Sequence, residues 1–223
     1  MSVAPQSECR PEPEPSCDLC PRLCDFLAAT RALEPSWHNA PVASFGTASA
    51  RLLIVGLAPG LRGANRTGRP FTGDYAGELL YGTLLDLGFA TGTYDARPGD
   101  GLTLNDAMIT NAVRCVPPEN KPTPAEVNTC RTFLSNRIAA QSNLKAIVAL
   151  GRIAHDSTVV ALGHKRSAFP FGHAARHDIK PGLALFDSYH CSRYNTSTRV
   201  LTPEMFRSVF TSVKAYLDTP VPL

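Results

Sequence analysis

Apolar positions along this chain fall into two periods. Four short runs are nearly continuous in apolar, β-prone residues: Leu52–Gly56 (LLIVG), Ala107–Val113 (AMITNAV), Leu144–Leu150 (LKAIVAL) and Leu183–Tyr189 (LALFDSY). Strands covered on both faces read this way. The segments between them have helical spacing. Leu79, Leu80, Leu84 and Leu87 follow the first run. After the second, Thr123-Pro124-Ala125-Glu126 forms a capping box with Pro at the first helical position, continued by Val127, Phe133, Leu134 and Ile138. Gly151–Val160 follows the third. The last helix starts at Thr202-Pro203-Glu204, with a stripe of Met205, Phe206, Val209, Phe210, Val213, Tyr216 and Leu217. Strands alternating with helices predict one α/β domain, a four-stranded parallel central sheet flanked by helices.

The first run opens into Gly56–Gly77, GLAPGLRGANRTGRPFTGDYAG, with six glycines, three arginines (Arg62, Arg66, Arg69), Phe71 and Asp74. A glycine-rich loop at the end of a parallel strand is where an open α/β sheet binds ligands. Two familiar phosphate loops fail here. G-x-G-x-x-G does not occur, and Arg69-Pro70 stands where a P-loop needs Lys-Ser/Thr after Gly63 and Gly68. The loop serves another ligand.

Composition narrows the class. The chain has 223 residues, 43% apolar and 18% charged, as an ordinary globular protein does. No apolar run approaches membrane-spanning length and the start lacks signal-peptide architecture, so a cytoplasmic protein is expected. Residues 1–16 are rich in Pro and Glu and are expected to be a loosely attached tail before a domain at 17–223. The net charge of +3 permits a nucleic-acid partner without demanding one.

Seven cysteines, an odd number, argue for metal ligation rather than a disulfide framework in a reducing compartment. Cys17 and Cys20 form C-x2-C. Cys115 follows the second strand directly, and Cys130 lies in the capped helix. Four thiolates suit zinc or an iron–sulfur cluster. The wide spacing of the second pair is unlike a zinc ribbon and favours [4Fe–4S], with a structural role. Cys24 and Cys191 are spare candidates, and Cys9 falls in the tail.

Assembled, these features resemble the uracil-DNA glycosylase superfamily, and within it family 5, the cluster-containing B-type. The likeness rests on GLAPG, NRTGRPFTGD, TNAVRC, PPENKP, the four cysteines in order, and YHCSRYNTST, from Cys17 to the final helix. It implies a DNA repair enzyme that flips a base from DNA and hydrolyses its N-glycosidic bond. The substrate expected is uracil and deaminated purines such as hypoxanthine, in double- or single-stranded DNA, and the protein is expected to act as a monomer.

The resemblance also implies roles. Phe71 would stack on the base, Asn111 would read its edge, and Gly56 and Ala58 would wall the pocket. His190 would donate to the departing base. The first motif has no polar side chain after the strand, so Asp74 is the candidate for directing water, although an Asp before Tyr75 equally suits a helix N-cap. Asn120 is a second candidate for water or DNA. Ser192, Arg193, Tyr194, Arg66 and Arg69 would hold DNA. Cys191 stands where the family usually has Pro. No lysine presents itself as an amine nucleophile, which implies a monofunctional enzyme. The alternative is a non-catalytic iron–sulfur protein that binds nucleic acid or senses redox state.

Overall fold

The computed structural model describes residues 10–219. In chain order the elements are α1 (Pro21–Leu33), β1 (Phe45–Gly46), β2 (Leu52–Gly56), α2 (Ala64–Thr67), α3 (Tyr75–Leu87), β3 (Ala90–Thr91), β4 (Thr103–Leu104), β5 (Ala107–Asn111), α4 (Pro124–Ala140), β6 (Ala146–Leu150), α5 (Arg152–Ala161), β7 (Arg176–Lys180), β8 (Leu183–Ser188), α6 (Arg193–Ser197) and α7 (Pro203–Asp218). The four apolar runs are the four parallel strands, side by side as β5-β2-β6-β8.

The sheet nevertheless has six strands, not four. Antiparallel β1 and β7 close its two edges, in the order β1-β5-β2-β6-β8-β7. Both escape an apolar pattern for a physical reason. An edge strand that is two residues long, or that reads Arg-His-Asp-Ile-Lys, is short and charged, as edges exposed to water are.

Successive strand residues point to opposite faces, and each face has its own core. Leu52, Ile54, Ile109, Val148 and Phe186 pack on one side with Leu80 and Leu84 of α3 and Phe206, Phe210 and Val213 of α7. Leu53, Val55, Met108, Ile147 and Leu185 pack on the other with Leu134 of α4 and Ala154 and Val159 of α5. The expected capping box of α4 is complete, Thr123 and Glu126 serving each other's backbone. A third cluster joins Leu23 and Leu27 of α1 to Val113, Cys115, Val116, Val127 and Cys130.

Residues 1–9, with Cys9, lie outside the described residues. The rest of the expected loose tail is anchored. The Glu12 carboxylate accepts from Arg114 Nη1 at 2.7 Å, from Arg137 Nη2 at 2.8 Å and from the Ser44 amide at 3.1 Å. Arg114 is fully buried, and Glu12 provides the counter-charge that a buried guanidinium requires. Among the described residues no helix is long and apolar enough to cross a membrane.

Candidate active site

The parallel strands all end at one edge, and a pocket of about 640 Å³ opens there. It is lined by Ala58, Phe71, Asp74, Asn111, Asn120, His190, Ser192 and Arg193, which come from five separate stretches of chain. Leu57, Arg62 and Tyr75 join them.

The floor follows from strand register. Gly56 and Asn111 are paired neighbours on β2 and β5. A Cβ at Gly56 would overlap Asn111 Oδ1 and lie 2.6 and 2.7 Å from the Phe71 ring. Glycine therefore lets the amide and the ring meet over the strand end. Asn111 is only 3% exposed, and its Oδ1 has no hydrogen-bond partner. A buried acceptor left open costs about 1–3 kcal/mol. It is the kind of atom that a ligand's N–H completes.

Phe71 is buried and held at φ +53°, a strained backbone for a bulky residue. Its ring stacks near the imidazole of His190, with centroids 6.1 Å apart and planes 28° from parallel. Burial lowers the His190 pKa to about 4, so the ring is neutral across physiological pH.

Asp74 is the N-cap of α3, as its position allowed. Oδ1 accepts from the Gly77 amide at 3.2 Å. It also lines the pocket, with Oδ2 turned to the glycine loop. A Cβ at Gly63 would overlap that oxygen, and one at Gly60 would stand 3.0 Å from it. Burial raises the Asp74 pKa, against the pull of the Gly77 and Ala76 amides. Cap and pocket acid are thus one residue. Asn120 reaches the rim from a tight turn in which Glu119 and Asn120 both take positive φ, +55° and +57°.

The expected DNA contacts divide. Ser192 caps α6 and lines the pocket, and Arg193 lies over the Tyr75 ring at 5.4 Å. Tyr194 is 74% exposed on α6, and Arg66 is exposed in a separate groove beside Trp37 and His38. Arg69 does not face DNA as expected. It is 7% exposed and forks onto Asp100 at 2.8 and 2.7 Å, with Nε on Thr72 Oγ1 at 2.7 Å. A guanidinium with this set of partners is not free for phosphate. Arg62, by contrast, is exposed and lines the pocket.

Cys17, Cys20, Cys24, Cys115 and Cys130 line one small cavity beside α1 and α4. Burial raises the thiol pKa values of Cys20, to about 11, of Cys115 and of Cys130, and the neighbouring cysteines raise them further. The Arg114 amide donates to Cys130 Sγ at 3.3 Å. Among the described residues, the cysteine sulfurs do not gather within the 4.8 Å that joins His155, His177 and Asp187. Cys191 is no spare ligand. It is fully buried in the core with α3 and α7, away from the cysteine cavity, its Sγ donating to the Ala76 carbonyl at 3.5 Å.

Residues 43–214 match the family described as "Uracil DNA glycosylase superfamily". A Thermus thermophilus protein named type-5 uracil-DNA glycosylase is 43% identical over 89% of this chain and 93% of its own length. The chain belongs to this family. The type-5 relative of Mycobacterium tuberculosis is 40% identical over 89% of this chain and 77% of its own, and that of Pyrobaculum aerophilum 36% over 87% and 86%. A type-4 relative, from Archaeoglobus fulgidus, matches 51% of the chain at 37% identity. The match to type-5 proteins over most of their length covers every strand that carries a pocket residue.

Proposed function

We propose that this protein is a monofunctional uracil-DNA glycosylase that starts base excision repair, and that its pocket receives the flipped base. The observation that carries this reading is the open Oδ1 of Asn111, buried at the pocket floor beside an aromatic ring. Uracil offers an N–H donor flanked by carbonyl acceptors, so one Asn amide can both accept and donate. Cytosine presents an acceptor ring nitrogen there and would leave Oδ1 open. Hypoxanthine has the same N–H beside a carbonyl. The absence of a polar side chain in Leu57-Ala58-Pro59 and a pocket of about 640 Å³ support a purine as a second substrate.

Phe71 stacks on the base. When the C1′–N bond breaks, its electron pair leaves with the base and charge gathers on the base oxygens. Neutral His190 donates a hydrogen bond to that charge. A preorganised donor in a dry site typically contributes several kcal/mol to such a step. The sugar becomes an oxocarbenium ion, which the Asp74 carboxylate stabilises. Water, oriented by Asp74 with Asn120 at the rim, adds to C1′ and gives up its proton through Asp74 to solvent. Ser192, Arg193 and Arg62 hold phosphates of the flanking DNA. One chain supplies all of these groups, in keeping with a monomer.

We infer that Cys17, Cys20, Cys115 and Cys130, which line one small cavity with Cys24, would hold a [4Fe–4S] cluster. Crowded thiols that raise one another's pKa give up protons when a cation binds. Ligands of one zinc ion would stand about 3.8 Å apart, closer than these sulfurs gather, whereas a cluster spreads its thiolates more widely. The cluster's contribution would be structural, fastening α1 to β5 and α4.

The test is incubation with duplexes carrying one uracil or one hypoxanthine, followed by alkali. Strand cleavage at the lesion is expected for both, and none at cytosine. Absence of cleavage at uracil with excess protein overturns the reading. Absence at hypoxanthine alone restricts it to uracil.

A further inference from the structure

Behind the pocket lies a second constellation that the excision chemistry does not use. His155 of α5, His177 of β7 and Asp187 of β8 meet in the interior, with His155 and Asp187 fully buried. Asp187 Oδ1 stands 2.6 Å from His155 Nδ1, and Oδ2 stands 3.0 Å from His177 Nε2 and 3.3 Å from the Gly172 amide. His155 Nε2 lies 2.8 Å from the Phe169 carbonyl. Both ring nitrogens of His155 therefore face atoms that only accept. A neutral imidazole carries one N–H and can serve one of them. The imidazolium serves both, and its charge balances the carboxylate.

This cluster sits three residues before His190. The His190 ring makes no hydrogen bond among the described residues, so its aim is set by the main chain around it. The Ser188 carbonyl accepts from the Gly151 amide at 2.8 Å, at the start of α5. The Tyr189 amide donates to His173 Nδ1 at 3.1 Å, and the His173 ring stacks on that of Tyr189. A Cβ on Gly151 would be 3.3 Å from His190 Cβ. Asn195 Nδ2 donates to the His190 carbonyl at 2.8 Å. Two of these anchors, the head of α5 and the 163–175 loop, are themselves fastened to β8 through His155 and Asp187.

We propose that His155, held as an imidazolium between Asp187 and the Phe169 carbonyl, is a positioning residue that aims His190 into the pocket. The inference rests on the glycosylase reading only for its kinetic consequence. Its spacing argues against a metal site, because two ligand atoms 2.6 Å apart are at hydrogen-bond distance and closer than neighbouring ligands on one ion. Burial opposes the charge, but the Asp187 bond and charge and the Phe169 carbonyl outweigh it, so the His155 pKa lies above its ordinary value. The other groups facing the ring are Asp156 of its own helix, which also favours the charge, His177, and the Phe171 ring, over which Arg152 lies at 5.3 Å. As pH rises through the elevated pKa the brace loses its proton, and His190 loses its alignment.

The experiment combines nuclear magnetic resonance of histidine-labelled wild-type protein with single-turnover kinetics on a one-uracil duplex. Both ring nitrogens of His155 are expected to be protonated at neutral pH. Alkaline titration of His155 should shift the His190 resonances in step. His155→Gln should slow excision about 10- to 100-fold, the cost of a misplacement on the order of 1 Å, while the duplex Kd changes less than about threefold. The wild-type alkaline limb should vanish in that variant. A singly protonated His155 at neutral pH, or His190 resonances unmoved as His155 titrates, overturns the proposal, and so does a folded His155→Gln protein with unchanged rate and pH profile. Wild-type protein that releases no uracil would defeat the glycosylase reading instead, with the resonance arm still deciding the brace.

Discussion

Asn111→Leu separates the cost of a binding group from its use. Leu shares the branching and heavy-atom count of Asn and has no polar atom, although its methyl groups are bulkier than the amide. In the free protein Oδ1 is buried and open. Removing that orphan acceptor relieves about 1–3 kcal/mol, so the variant should be more stable than wild type in urea unfolding. Activity should move the other way. The bound base loses a partner for its N–H and another for its carbonyl, and each unsatisfied group costs about 1–3 kcal/mol. The sum, about 2–6 kcal/mol, corresponds to a fall in kcat/KM of roughly 30-fold at the least and about 3 × 10⁴-fold at most. Single-turnover excision and denaturant midpoints on the same preparation read both effects. A variant that is destabilised by more than about 1 kcal/mol would refute the reasoning about the floor, as would one that excises uracil within about threefold of wild type.

Asp74→Asn should keep the α3 cap, since Asn caps about as well as Asp. Burial raises the Asp74 pKa, so its ionisation weighs against the folded state above that pKa. The Asn variant should therefore match or exceed wild-type stability at neutral pH while losing both excision and the acid limb of the pH–rate profile. No limb from His190 is expected above about pH 5, because its pKa is near 4. Arg69→Ala should destabilise by about 3–5 kcal/mol by stranding Asp100, with the salt dependence of DNA binding unchanged. Arg193→Ala should lower the log–log salt slope by about one while leaving the unfolding midpoint in place. Purified protein should hold about four irons per chain with matching sulfide, and Cys115→Ser should lose both along with visible absorbance.

The parts of the fold legible from sequence are those where burial alone decides. The four central strands are covered on both faces, so their apolar runs stand out. α4 and α7 carry their starts in local chemistry, Thr123 with Glu126 and Thr202 before Pro203. β1 and β7 were illegible because an edge takes its identity from a neighbour's free backbone rather than from its own side chains. The site shows the same division. Phe71, Asn111 and His190 lie where strands end or loops begin, and a topological rule gathers strand ends. Arg69 looks like a phosphate ligand until Asp100, 31 residues on, claims it. Tyr75 sits at the pocket through the path of the glycine loop, which no local pattern specifies. Glu12 looked unstructured in a Pro-Glu segment, because its partners Arg114 and Arg137 are about a hundred residues away in sequence.

The central claim is that this pocket hydrolyses the bond between uracil and its sugar and does nothing further to the strand. Mass spectrometry of a one-uracil duplex after incubation without alkali tests it most directly. Free uracil and an otherwise intact strand carrying one abasic site are expected, with neither formed by His190→Ala at comparable times. An unchanged strand mass in the presence of excess wild-type protein would contradict the claim, as would a strand broken at the lesion before alkali is added.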